Sequence, residues 1–261
     1  MYQFHNNFIG YQSLPIYKHQ LFSGSDSKEL FEVNLKTKPD DWIYRTLPVE
    51  YNRNSLGHRC KELSEIDLDN YILVTGCSHT EGIGLPLENS YAYELSKKFN
   101  CDYYNLGLAG SGIDIMMHNL TVWLSTVKKQ PKFVVMQFPD VARFSIIEPN
   151  QDSMNMNPEH SFVSVWTIST PTASKLHTDF ILLGEDLKYF DSKVTFARSI
   201  AKSIINVPII EVHVHLPHDF PHQVAFKGLD FARDGHFGIL SNFVLAGDIA
   251  KTYRTLIKNS T

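Results

Sequence analysis

No stretch of this sequence is apolar for long enough to cross a bilayer, and its opening residues, MYQFHNNFIGYQSLPIYKHQ, lack a basic start followed by an apolar segment. A membrane span and a secretory leader are therefore not expected, and the chain reads as soluble and cytoplasmic. Positive charge is scarce too: 24 Lys and Arg against 28 Asp and Glu leave a formal net charge of −4. That excludes the basic field needed to hold a nucleic-acid backbone or an anionic membrane surface, and it points to a small or neutral partner. Cysteine is sparse: Cys60, Cys77 and Cys101 form an odd set without CxxC spacing, so disulfides are not expected. No Gly-Lys-Ser or Gly-Lys-Thr follows Gly76, Gly82 and Gly84, which argues against a phosphate-cradling loop.

Core-forming material, by contrast, is ample. With 43% hydrophobic residues, 261 positions are enough for one sizeable α/β domain. Residues 1–69 are aromatic-rich, broken by Pro15, Pro39 and Pro48, and without a sustained helical period, so extended segments and turns packed on the main body are expected there. From residue 70 to 261 strand and helix signals alternate. Strands are expected at Ile72-Val74, Cys101-Asn105, Phe133-Phe138 and Pro208-Leu216, and helices at Glu88-Phe99, Ile113-Val127, Lys188-Ile205 and Gly238-Ile257. The alternation implies βαβ units and a mainly parallel sheet. Residues 144–183 break the pattern, being polar and interrupted by proline, and read as an insertion over one rim of the sheet; Trp166 there suits a local packing anchor or a ligand contact.

In open α/β sheets ligands bind beyond the carboxyl ends of the strands. Gly76-Cys77-Ser78-His79-Thr80 falls at such a place, where small residues permit a sharp turn and close approach. Ser78 suits a nucleophile there, and Ser78 and Thr80 equally suit helix caps. Asn105-Leu106-Gly107-Leu108-Ala109-Gly110 ends a second strand and can present a backbone amide, most plausibly that of Gly110, to a developing oxyanion. Ala232-Arg233-Asp234-Gly235-His236 places a carboxylate beside an imidazole ahead of the last helix, the pair a serine needs to lose its proton.

Together these segments resemble the SGNH/GDSL hydrolase superfamily over roughly Tyr51 to the C-terminal helix. Gly76-Cys77-Ser78-His79-Thr80 resembles its Gly-Asp-Ser-x-Thr block, Asn105 to Gly110 its second block, and Asp234-Gly235-His236 its last. Tyr51 to Arg59 is similar to an Asn-x-x-Gly-Phe-Arg stretch that precedes the first block in some branches. The resemblance implies a three-layer α/β/α fold of the flavodoxin-like kind. It also implies Ser78 as nucleophile, His236 as base, Asp234 as its partner, and an oxyanion hole using the amides of Ser78 and Gly110. Three departures stand out. Cys77 replaces an aspartate, and is either a buried structural cysteine or an activated thiol. Gln137-Phe138-Pro139-Asp140 stands where the family has Gly-x-Asn-Asp, so Gln137 either donates to the oxyanion or binds neighbouring backbone. Asp234 and His236 are two apart instead of three, which keeps Asp230 as a reserve acid.

Around this site His79, Arg143, His213 and His215 are candidates for the substrate-binding wall, with Arg143 alternatively anchoring the insertion. Glu211, His213 and His215 alternate on one strand face, the arrangement a metal site would use, but no cysteine or compact acidic set completes it and no metal is expected. The expected activity is hydrolysis of a small acyl ester, including one carried on a carbohydrate, through an acyl-enzyme on Ser78 and without a cofactor. An O-acyltransferase working through the same intermediate, or a silent member that binds a carbohydrate or a protein, are the alternatives. The oligomeric state is not legible.

Overall fold

The computed structural model of the chain describes residues 2–5, 7–11, 19–141, 143–148, 162–166, 188–214 and 223–260. In chain order the elements begin with strands β1 (Tyr2–His5) and β2 (Phe8–Tyr11) and helix α1 (Lys28–Thr37). Strand β3 (Tyr71–Thr75), the short helix α2 (Ser78–Glu81), helix α3 (Tyr91–Phe99), strand β4 (Asp102–Asn105), helix α4 (Ile113–Thr126) and strand β5 (Val134–Phe138) follow. Then come β6 (Phe144–Glu148), β7 (Phe162–Trp166), α5 (Lys188–Ile204), β8 (Ile209–His213), β9 (Gln223–Ala225) and α6 (Ile239–Ser260).

The central sheet has the order β4-β3-β5-β8-β9, and all its pairings are parallel. Renumbered within the sheet this is 2-1-3-4-5, the order of doubly wound folds whose ligands sit at the carboxyl end of the first strand. Strands covered on both faces should read as continuous apolar runs, and Tyr71-Ile72-Leu73-Val74-Thr75 is buried at every position. Helices α3 and α6 pack together on one face, where Tyr253 lies 4.4 Å from Phe133, ring centroid to centroid. On the other face α4 packs with α5, and Trp123 of α4 lies 4.3 Å from Tyr104. The result is the three-layer α/β/α architecture expected from the alternation of signals.

Ser90 starts α3 by accepting the amide of Tyr93, and Asn100 ends it in the left-handed region at φ 46°. In α4 the buried residues Ile113, Met116, Leu120 and Trp123 recur at three- and four-residue intervals, which turns one stripe of the helix onto the sheet. No described helix is long and apolar enough to cross a membrane.

A second, antiparallel sheet runs β2-β1-β7-β6. It is joined to the outer layer through Asn119 of α4, whose amide oxygen accepts from Ile9 N of β2 and whose amide nitrogen donates to Ile9 O, each at 2.8 Å. Strands β6 and β7 fall inside the stretch expected as an insertion; the rest of 144–183 lies outside the described residues. In the segment before β3 the structure departs from the expected turns: Lys28–Thr37 is helical, started by Ser27, whose hydroxyl accepts from Leu30 N at 3.1 Å. None of its residues is fully buried; its apolar face is the short set Leu30, Phe31 and Leu35, half-buried, with Phe31 packed on Phe22 and Trp42, which is too brief to stand out as a period.

Candidate active site

Beyond Thr75 the chain turns through Gly76 and Cys77 into α2, of which Ser78 is the first residue. Ser78 Oγ lies 2.8 Å from His236 Nε2, and His236 Nδ1 lies 2.5 Å from Asp234 Oδ2. Burial acts to raise the pKa of Asp234, but hydrogen bonds from His236, the charge of that ring and a hydrogen bond from Ser25 outweigh it and hold the carboxyl below the usual range. An ionised carboxylate only accepts, so the proton between them sits on Nδ1, and Nε2 is left to accept from the Ser78 hydroxyl. Neither Ser78 nor Thr80 caps a helix. Thr80 Oγ1 instead meets Tyr91 Oη at 2.9 Å and Gln137 at 3.1 Å.

Asp234 and His236 meet across a two-residue spacing because the loop is a turn and not an extended strand. Gly235 N donates to Ala232 O at 3.1 Å and Ala232 N to His236 O at 2.7 Å, with Gly235 at φ 94°. That positive φ folds the Asp234 carboxylate back onto the His236 ring, a geometry side chains other than glycine's rarely permit. Gly84 borders the carboxylate: it sits at φ 77°, and a Cβ there would come within 2.2 Å of Asp234 Oδ1. Asp230 is placed otherwise. Its oxygens accept from Leu240 N at 2.9 Å and from Ser241 N at 2.8 Å, which makes it the cap of α6.

Arg233, next to the acid, is buried and paired with Asp26. Its Nε reaches both Asp26 oxygens, at 2.9 and 3.1 Å, and Nη2 reaches Oδ2 at 2.6 Å. Tyr51 donates to the same Asp26 at 2.5 Å while accepting from Gly84 N at 2.8 Å. A second buried pair involves the helix that Ser78 begins: Arg53 Nη2 meets Glu81 Oε1 at 2.6 Å, and Glu81 Oε2 accepts from Ala109 N at 2.7 Å. Arg59 donates to the carbonyls of Glu50, Gly82 and Leu85. The stretch Tyr51 to Arg59 thus holds the chain on both sides of α2, and Glu81 ties that helix to the loop bearing Gly110.

The backbone amides of Ser78 and Gly110 have no acceptor among the described residues. Leu108 N and Ser111 Oγ both donate to Gly76 O, at 3.2 and 3.1 Å, which pins the Gly110 loop beside the Ser78 turn. Gln137 does not fit the part of an oxyanion donor. Its Oε1 accepts from Cys77 N at 3.1 Å, Cys77 Sγ at 3.2 Å and Thr80 Oγ1 at 3.1 Å, and its Nε2 donates to Phe138 O at 2.7 Å. The opposite amide orientation would set nitrogen against the Cys77 N–H, so these contacts fix which end faces the turn. Cys77 is correspondingly buried, its thiol turned to Gln137. Gln137→Ala is expected to act on stability: it strips partners from a buried amide, thiol and hydroxyl and should cost about 3 kcal/mol. The check is the urea midpoint beside steady-state kinetics. An unchanged midpoint with a fall confined to kcat would return Gln137 to the oxyanion hole.

Of the expected wall residues, His79 stands at the site: its ring centre is 4.8 Å from that of His236, edge to face, and 4.9 Å from that of Phe237. The His213 ring is stacked on Phe138 at 5.0 Å with Nε2 3.4 Å from Glu211. His215 is outside the described residues. Arg143 places its carbonyl on Lys193 Nζ at 3.1 Å and its backbone against Gly112; its Nη1 is buried with no hydrogen-bond partner among the described residues. Glu211 is held by Arg198 through two bonds of 2.6 Å. Burial would raise its pKa, yet the hydrogen bonds from His213 and Arg198 and the guanidinium charge bring it down to about 2. A carboxylate so bound by a cation is not offered to a metal, and among the described residues no group of three or more His, Cys, Asp or Glu could hold one.

Sequence reasoning missed Ser25 and Asp26, and gave Arg53 and Glu81 no part. Arg53 and Arg59 lay in a stretch already singled out, so a search for buried arginines there had a starting point. Nothing near Ser25 or Asp26 in the chain hints that their partners stand 209 and 207 positions away.

No family model and no curated protein matches the sequence. The solved structures to which the chain shows similarity include a member of the lipolytic G-D-S-L family from Veillonella parvula, at 13% identity over 70% of this chain and 98% of that one, with a TM-score of 0.43. The psychrotrophic esterase EstA of Pseudoalteromonas sp. is 13% identical over 73% of this chain and 100% of its own, at a TM-score of 0.45. An acetyl xylan esterase from Butyrivibrio proteoclasticus is 13% identical over 81% of this chain and 66% of its own, at a TM-score of 0.43.

Proposed function

We propose that the chain is a serine hydrolase of the SGNH/GDSL kind that cleaves a small acyl ester, including one borne by a carbohydrate. The observation that carries the reading is the hydrogen-bonded line from Ser78 Oγ through His236 to Asp234. In this reading His236 Nε2 takes the Ser78 proton as Oγ attacks the ester carbonyl, and Asp234 steadies the imidazolium that results. The unengaged amides of Ser78 and Gly110 receive the developing oxyanion. His236 then protonates the leaving alcohol, and in the second half it deprotonates water to release the acid from Ser78.

Ser78 is 5% exposed and His79 packs against the rings of His236, Phe226 and Phe237, and in this reading so closed a setting favours a small acyl group. The Asp234 carboxylate is fully covered, so its electrostatic hold on His236 is weakened little by solvent. The testing experiment is a fluorophosphonate probe followed by peptide mapping, run beside hydrolysis of aryl acetate with and without an added glycan. Labelling at Ser78 with release of acetate supports the hydrolase; transfer to the glycan in preference to water makes the protein an acyltransferase. A folded protein that neither labels nor turns over overturns the reading.

A further inference from the structure

We infer that Ser25, from the segment preceding the parallel sheet, is a positioning residue for the acid of the catalytic line. The inference rests on the serine-hydrolase reading above and adds a residue to it. Ser25 Oγ donates to Asp234 Oδ2 at 2.7 Å, the same oxygen that accepts from His236 Nδ1. With His236 N on Oδ1 at 3.2 Å, the carboxylate receives three donors among the described residues, and of these Ser25 is the one that comes from outside the loop bearing Asp234 and His236.

The placement is built. Ser23 N donates to Asp26 O at 2.9 Å and Asp26 N to Ser23 O at 3.1 Å, so the four residues form a closed turn. That turn addresses two consecutive residues of the catalytic loop with two consecutive residues of its own: Ser25 takes Asp234 and Asp26 takes Arg233. Ser23 Oγ accepts from Arg53 at 2.6 Å, and Asn34 of α1 donates to Arg233 O at 2.9 Å, fixing the turn from two further sides. Ser25 itself is exposed whereas the Asp234 side chain is 0% exposed, so the turn forms part of the cover over the carboxylate.

The chemistry explains the need. A contact of 2.5 Å between Nδ1 and Oδ2 lets the shared proton move toward the carboxylate unless something lowers the affinity of that oxygen for it. A hydroxyl donating to Oδ2 does so, and keeps the proton on the ring in the tautomer that leaves Nε2 free. The other charged and titratable groups around the acid and its base are Arg233, Asp26, Asp230, Tyr44, Tyr51 and His79, and Ser25→Ala leaves all of them in place.

The test is the rate of Ser78 labelling by a fluorophosphonate as a function of pH, which needs no knowledge of the natural substrate. Ser25→Ala is expected to slow labelling about tenfold at neutral pH, the low end for a hydrogen bond to a charged group because water can reach the vacated side. Its acid limb, which belongs to the Asp234–His236 pair as a unit, is expected to move to higher pH, since the carboxylate becomes the better base. Ser25→Thr keeps the hydroxyl and should restore rate and limb. Ser27→Ala, which removes the cap of α1 but touches nothing in the site, should change neither. If Ser25→Ala labels at the parent rate with an unmoved limb, or Thr fails to restore what Ala loses, or Ser27→Ala shifts the limb equally, the assignment of Ser25 is wrong while the hydrolase stands. If the parent protein itself does not label at Ser78, the hydrolase reading falls first and takes this one with it.

Discussion

Ser78→Ala is expected to lower kcat for a hydrolysable ester on the order of 10⁶-fold, His236→Ala to do nearly the same, and the double variant to be no worse than either. The reason is that one atom supplies the bond and the other removes its proton; either alone leaves the rest of the line idle. Residual turnover is expected to exceed that in water, since the amides of Ser78 and Gly110 still favour the oxyanion. Folding should be little affected, because the Ser78 side chain bonds His236 and touches Cys77 Sγ at 3.9 Å without holding any backbone group. The measurement is single-turnover kinetics of purified variants, with a thermal melt to certify the fold. A single variant that retains half its activity removes that residue from the chemistry, and losses that multiply in the double variant show that the two do not act as one unit.

Asp234→Asn is expected to cost on the order of 10⁴-fold in kcat, the magnitude known for the corresponding change in a serine protease. An asparagine can present its N–H₂ to Nδ1, which moves the ring proton to Nε2 and aims a donor at a serine that needs an acceptor. The fall should be accompanied by little loss of stability, since the His236 backbone amide still finds an oxygen and the Ser25 hydroxyl can turn to accept from the new N–H₂. Asp230→Asn gives the contrasting result: activity is retained, and the fold loses about 1 kcal/mol through a weaker cap on α6. Kinetics and urea midpoints measured on both variants separate the two roles. A large kinetic loss at Asp230 with activity retained at Asp234 would reverse the assignment.

Much of the fold could be read ahead of the structure because its elements announce themselves locally. Tyr71-Ile72-Leu73-Val74 is a buried parallel strand and looks like one, and Ile113, Met116, Leu120 and Trp123 give α4 its stripe. Strand β9 escaped notice since it is three residues long with only Val224 buried, too short to show a period. Helix α1 escaped for a related reason: its apolar face is only Leu30, Phe31 and Leu35, half-buried, within ten residues. At the site, Ser78, Asp234 and His236 were legible through their neighbours in the chain, since each sits at a turn that needs glycine. Gln137 was legible as a position but not as a role: an amide at a strand end looks the same whether it serves a ligand or the backbone of the next loop. Ser25 and Asp26 were not legible at all, because a partner two hundred residues away leaves no mark on local composition.

The Asp26–Arg233 pair has a further consequence, for the order in which the molecule is assembled. The strand–helix units of the sheet close over short distances, whereas Asp26 and Arg233 are 207 positions apart and Ser78 and His236 are 158 apart. Joining such distant points carries the loop-closure entropy of nearly the whole chain, which is recovered only after the intervening units have drawn the ends near. The sheet can therefore be complete while Ser78 still lacks its contact with His236. On dilution from urea, helical ellipticity should return before Ser78 becomes reactive to a fluorophosphonate, and Asp26→Asn should lengthen that interval without delaying the ellipticity. A chain that has folded its scaffold is, for that interval, a protein with a harmless serine.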